Sequence, residues 1–210
     1  MALLCAAALG VGGARAADDP YAALLAPPGT CGPSENAQLL DAQTAVVTML
    51  CFTNYARTQS SLSPLQLNDT LSAAGDAKLA ADLSCGVFSH EPCGNPFDSV
   101  FTAYLAGATS YRIGENIAWG SGSYAAPRAI MDAWLHSAGH RENILNADYK
   151  EVGIGYAGNE TFQGYSGASL WSQEFGARLP STVSSAPAEP KQAAPKKRPR
   201  HKHFHRRRHT

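Results

Sequence analysis

Gly139-His140-Arg141-Glu142-Asn143-Ile144-Leu145 follows an apolar helical run, Ile130 to Leu135, and Gly139 is expected to break that run. A histidine then stands at the break, ahead of a short second helical turn. An imidazole at a helix boundary need not be spent on core packing and is free to bind something. Two earlier segments repeat the chemistry: Phe88-Ser89-His90-Glu91 and Ile113-Gly114-Glu115-Asn116-Ile117. Together they predict that His90, Glu115 and His140 converge on one solvent-accessible pocket, with most of the remaining chain as scaffold.

The scaffold reads in order. From Leu39 to Thr58, Val46, Val47, Leu50, Cys51, Asn54 and Tyr55 recur at helical spacing. Ser61 to Pro64 breaks that pattern. Asn68 caps a second helix running to about Leu83, with Leu71, Ala74, Leu79 and Leu83 inward and Asp76, Lys78 and Asp82 toward solvent. A loop from Ser84 to Asn95 holds His90. Pro96 opens a third helix carrying Phe97, Val100, Phe101 and Tyr104, which Gly107 ends. Ile113 to Gly120 is short and extended or irregular. Pro127 opens a fourth helix to about Ser137, with Ile130, Met131 and Trp134 facing inward. Glu151 to Tyr156 and Ser169 to Phe175 alternate as strands, joined by a hairpin loop over Gly158 to Gly167. Glycines in the first strand mark places where another backbone approaches closely. Helices first and strands late predict an α+β fold, helices covering a small antiparallel sheet.

A chain of 210 residues holds one domain with tails, or at most two small domains. Residues 1–180 carry sixteen Asp or Glu against eight Lys or Arg, a balance of −8 that the overall neutrality hides. From Lys191 onward there are nine Lys or Arg and no acid. Residues 1–16 read as an export signal, with Ala14-Arg15-Ala16 as its cleavage site. The basic opening of such a signal is missing, so the true start is expected upstream. The apolar run is too short for a membrane span of about 20 residues. Residues 17–38 form an extended lead-in, 39–179 the domain, and 180–210 a disordered tail.

Removal of the signal leaves Cys31, Cys51, Cys85 and Cys93, an even set that favours two disulfides in an exported chain. Three pairings are open. Cys85 and Cys93 close a short loop around His90, and Cys31 pairs with Cys51 by elimination. A thiolate metal cluster is the competing reading, but no Cys-x2-Cys pair occurs.

Five pieces in this order carry a resemblance: Asn54-Tyr55-Ala56-Arg57, Phe88-Ser89-His90, Gly114-Glu115-Asn116-Ile117-Ala118, Trp134-Leu135-His136-Ser137-Ala138-Gly139-His140-Arg141 and Trp171-Ser172-Gln173-Glu174-Phe175-Gly176. Over roughly Thr44 to Gly176 the chain resembles the CAP superfamily of cysteine-rich secretory proteins, antigen 5 and pathogenesis-related protein 1, in its bacterial secreted branch. The resemblance implies an α-β-α sandwich whose cleft holds two histidines and two acids. His90 and His140 match the histidines and Glu115 the first acid. Ser137 occupies the place of the second acid, so three of the four groups are kept. Asn116 and Ser137 are expected to line the same cleft.

Two imidazoles and one carboxylate suit zinc or another divalent cation, with a fourth position open for water. The plainer reading is that the three groups hydrogen-bond one another and hold loops in place. Ser89, Ser137 and Ser172 are available as nucleophiles, yet no Gly-x-Ser-x-Gly elbow occurs. The expected function is therefore that of a secreted, monomeric binding module. Its ligand would be apolar, sterol-like or a cell-envelope component, held in a groove between helices. Some members of the resembled family bind lipids. A zinc-dependent hydrolase of the CAP type is the alternative. The basic tail is expected to attract anionic lipids or polymers, and His201, His203 and His205 add weak metal binding.

Overall fold

The computed structural model describes residues 19–180. The export signal expected over residues 1–16 and the tail from residue 181 lie outside the described residues.

Helix α1 (Ala42–Gln59) starts where Asp41 accepts the Thr44 N–H at 2.9 Å, and it buries Ala45, Met49, Phe52 and Ala56 at helical spacing. Arg57 is buried on the same face. It donates to the carbonyls of Ser63, Ile144 and Asn146, stapling α1 to a segment nearly ninety residues away. Strand β1 (Gln66–Leu67) leads to α2 (Asp69–Cys85). As expected, Asn68 caps α2, accepting from Thr70 and Leu71, and Gly86 ends it at φ 64°. The third helix is a 3-10 turn, Phe97–Phe101, running into α3 (Thr102–Leu105).

Strand β2 (Ala108–Ser121) extends well beyond the short segment expected around Ile113 to Gly120. Helices α4 (Pro127–His136) and α5 (Ala138–Ile144) follow. The break between them falls at Ser137, at φ −96° and ψ 122°, rather than at Gly139, which lies inside α5. A glycine costs a helix only about 1 kcal/mol, whereas one extended residue ends it outright.

Strands β3 (Glu151–Phe162) and β4 (Tyr165–Pro180) also run longer than expected. The reversal is confined to Gln163-Gly164, both at positive φ, so most of the expected loop is paired strand. The sheet order is β1-β3-β4-β2, with β1 parallel to β3 and the other pairs antiparallel. The two-residue parallel edge is an addition to the expected antiparallel sheet.

Helix α2 lies on one face of the sheet, and α1, α4 and α5 on the other. This is the α-β-α layering of the α+β reading. Glycines allow α2 to settle directly on β3: a Cβ on Gly155 would stand 2.5 Å from the Gly75 carbonyl carbon. The opposite face carries the larger core, where Trp134 and Trp171 are sealed and donate to the carbonyls of Ile117 and Ala125. Cys31–Cys51 pins the lead-in to α1, and Cys85–Cys93 closes the loop after α2.

Candidate functional site

Lys78 and Asp82 correct the sequence reading. Both lie on the face of α2 that meets the sheet, one turn apart, and are 1% and 0% exposed. Lys78 Nζ donates to the Ser89 carbonyl, and Asp82 Oδ1 accepts the Ser89 N–H at 3.2 Å. One residue of the loop is thus held by both its backbone groups. The Cys85–Cys93 bridge ties the loop's ends, and the next residue is His90.

The His90 side chain is half exposed, and its Nδ1 lies 2.5 Å from Glu115 Oε1. Glu115 enters from β2 and is buried, with Lys78 Nζ 3.6 Å from the same oxygen. Directly across the ladder, Glu174 on β4 pairs with Glu115 and has no solvent exposure. Burial, and then the Glu115 charge, push Glu174 well above the ordinary carboxylate value of 4.5. Burial also raises Glu115, while Lys78 and His90 oppose that rise. The Lys78 amine stands beside the Glu115 oxygen and favours the ionised form there, so Glu174 is the carboxyl of the pair pushed further toward its protonated form. Asp82 is raised by burial too, against the pull of Lys78.

His140 arrives from α5, with its ring against Trp134 at 6.4 Å. Its Nδ1 is shut from solvent without a hydrogen-bond partner among the described residues. Burial first, and the His90 charge second, hold its pKa below the ordinary 6.5, leaving a neutral imidazole. Asn116, expected to line the cleft, has no exposure and is spent on the scaffold. Its Nδ2 donates to the His140 carbonyl and to Gln173 Oε1, and its Oδ1 accepts from Asn143. Gln173 continues the chain to Thr53 on α1 at 2.7 Å. Asn116 therefore fixes the helix that carries His140. Ser137 is half-buried at the α4–α5 break, its carbonyl accepting the Arg141 N–H.

His90 and Glu115 are in direct contact, and His140 is within electrostatic reach of His90. The donor atoms of the three do not form a compact triad. Among the described residues, the group of three or more such side chains with donor atoms within 4.8 Å of one another is Asp19, Asp132 and His136, at the lead-in and the end of α4. His136 is turned there, 3.0 Å from Asp19. The two imidazoles are of the donor type that a divalent cation takes. His140 offers a neutral ring with an orphaned nitrogen, and His90, held through Nδ1, keeps Nε2 for a ligand.

Lys78, Asp82 and Glu174 were missed from the sequence. One signal was available: Leu71, Gly75, Lys78 and Asp82 follow each other at three- to four-residue steps on one helical stripe.

The profile of the cysteine-rich secretory protein family, CAP, matches residues 50–175. The uncharacterized protein YkwD of Bacillus subtilis (strain 168) is 34% identical over 125 residues, covering 59% of this chain and 43% of that protein. The chain thus spans less than half the length of this relative. Among solved structures, an outer surface protein of Borrelia burgdorferi superposes with a TM-score of 0.55 at 18% identity, over 67% of this chain and 97% of its own. An extracellular protein containing an SCP domain, from Bacillus anthracis str. Ames, gives a TM-score of 0.51 at 21% identity, over 65% of this chain and 44% of its own. These two similarities concern the fold alone. The matched segment contains His90, Glu115 and His140 together, and the chain belongs to the cysteine-rich secretory protein family, CAP.

Proposed function

We propose that this domain is an exported binding module that offers His90 and His140 to a divalent cation, zinc foremost. The observation that carries the reading is the 2.5 Å contact between His90 Nδ1 and Glu115 Oε1. A carboxylate behind an imidazole fixes its tautomer and orientation and raises its basicity as a ligand. Zinc held there would leave coordination positions free for a further ligand.

Binding is favoured over hydrolysis by where the acids lie. A metal hydrolase needs a base within reach of the attacking water. Glu115 is engaged by His90 and Lys78, while Glu174 and Asp82 are sealed beneath α2. Ser172 faces Gly75 and Gly155 in the same sealed layer and has no solvent exposure. For an apolar or envelope-derived ligand, a hollow of about 590 Å³ walled by Trp119, Tyr124 and Tyr165 has suitable size and lining.

Export is supported by the two disulfides. Similar structures are described as extracellular or outer-surface proteins. No helix among the described residues is long and apolar enough to cross a membrane. Elemental analysis of protein purified without chelators tests the reading. Wild type is expected to carry about one divalent cation per chain at the cleft, and His140→Ala to lose it, with no ester or peptide hydrolysis by either. Zinc-dependent hydrolysis that disappears in His140→Ala would establish the enzyme instead.

A further inference from the structure

The folded domain is short of cations, and those it leaves exposed are gathered in one place. Residues 19–180 hold fifteen Asp or Glu and seven Lys or Arg. Arg57 and Lys78 are buried. Arg128 is paired with Glu35 at 2.6 Å, and Arg141 lies over the Tyr21 ring while donating to the Leu135 carbonyl. The other three, Arg112, Lys150 and Arg178, are exposed, and all three line a single hollow of about 460 Å³ at the end of the β2–β4 ladder.

The hollow is organised. Arg178 is held by its bond to the Tyr104 carbonyl and by its seat 4.2 Å over the Tyr104 ring. Lys150 donates to the Ala147 carbonyl. Asp148 is the one acid in the lining, 3.6 Å from Arg112 and widely exposed, a pairing that water and salt weaken. Tyr111, the cross-strand partner of Arg178, adds a half-exposed aromatic ring to the rim. The described residues end within β4, two residues after Arg178, and the sequence continues from this end of the domain to the nine Lys or Arg from Lys191 onward.

We infer that this hollow is a docking face for a membrane surface rich in anionic phospholipid. Headgroup phosphates sit against Arg112, Lys150 and Arg178, and Tyr111 lies at headgroup level. Aromatic residues favour that depth, and each Lys or Arg near such a surface strengthens attachment about fivefold. The basic segment raises the local concentration of the fixed site at the same surface. The inference is independent of cation binding at His90.

The test uses the full chain and vesicles of equal parts phosphatidylglycerol and phosphatidylcholine at low salt. Arg112→Gln with Lys150→Gln is compared with Lys196→Gln with Lys197→Gln, which removes the same charge from the basic segment. The first pair is expected to weaken partitioning at least fivefold and more than the second. Vesicles of phosphatidylcholine alone are expected not to bind. Brominated acyl chains should quench a Tyr111→Trp reporter, and spare a Tyr124→Trp reporter beyond the opposite end of β2. Equal losses in the two double variants, with Tyr111→Trp unquenched, would assign all binding to the basic segment and overturn the proposal. So would equal binding to neutral vesicles, or tighter binding to a short single-stranded DNA that is lost in the same face variant.

Discussion

Glu115 and Glu174 face each other in register across β2 and β4, both closed off from solvent. Beside them, Lys78 is the one buried amine among the described residues. Three carboxyls, Glu115, Glu174 and the neighbouring Asp82, around one amine in a dry layer cannot all be charged at small cost. In this arrangement burial and the neighbouring Glu115 charge push Glu174 toward its protonated form.

Glu174→Gln is accordingly expected to stabilise the fold near neutral pH. The folded pKa of Glu174 is raised above 4.5. As pH rises past that value, the unfolded chain ionises while the folded chain does not, so wild type loses stability. Glutamine cannot ionise. The gain should be absent near about pH 4 and reach roughly 1 kcal/mol or more by about pH 7, some 2–4 °C in Tm. Thermal melts across that range check it; a variant less stable at every pH would contradict it.

The clamp on Ser89 makes a second expectation. Lys78→Met leaves the Ser89 carbonyl without its amine donor and Glu115 without its neighbouring cation. The expected loss is about 3–5 kcal/mol in denaturant unfolding. Asp82→Asn keeps an acceptor oxygen for the Ser89 N–H and should cost much less. Where the Lys78 variant still folds, zinc affinity should fall about 10–100-fold, since an outer partner of a ligand has moved.

The two disulfides should separate stability from site geometry. The Cys31–Cys51 bridge spans 20 residues and Cys85–Cys93 spans 8. Loop-closure entropy puts their contributions at about 3 and 2.5 kcal/mol. Only the second encloses His90. Replacing both Cys85 and Cys93 by Ser should weaken zinc binding as well as stability, whereas the Cys31 and Cys51 pair should affect stability alone. Calorimetry of the two variants distinguishes the effects.

His136 ties the lead-in to α4. Its pKa is raised above 6.5, first by the Asp132 backbone and also by Asp19, and Asp19 is lowered below 3.8, first by the Tyr21 N–H. The histidine's contribution is complete below its ordinary value and is lost as pH rises through the raised one. That of Asp19 is lost as pH falls below 3.8. Amide protection over Tyr21 to Leu24, corrected for intrinsic exchange, should therefore be greatest near about pH 5 and decline by about pH 8. Protection independent of pH, or unchanged in His136→Ala, would refute the tie.

Much of this was legible in the chain. Asn68 and Pro127 announce their helices through local chemistry, and those boundaries hold within a residue or two. His90 and Glu115 stand in short motifs whose order survives folding. The misreadings share one physical cause. A Lys and an Asp four apart on a helix look like a solvated pair, because their partners, the Ser89 backbone and Glu115, come from elsewhere. Glu174 alternates with Trp171 and Phe175, which marks two faces of a strand without revealing that α2 covers the polar one. The Gly-rich stretch 158–167 reads as a loop until cross-strand pairing supplies the hydrogen bonds that make it strand.

The most direct test is nitrogen-resolved NMR of the histidine rings while zinc is added to chelator-free protein. His90 should begin as the single tautomer protonated at Nδ1, and its Nε2 resonance should shift together with a ring nitrogen of His140 at about one ion per chain. Zinc that leaves both rings unperturbed, or that moves only His136 or the tail histidines, would show that the His90–His140 cleft is not where this domain acts.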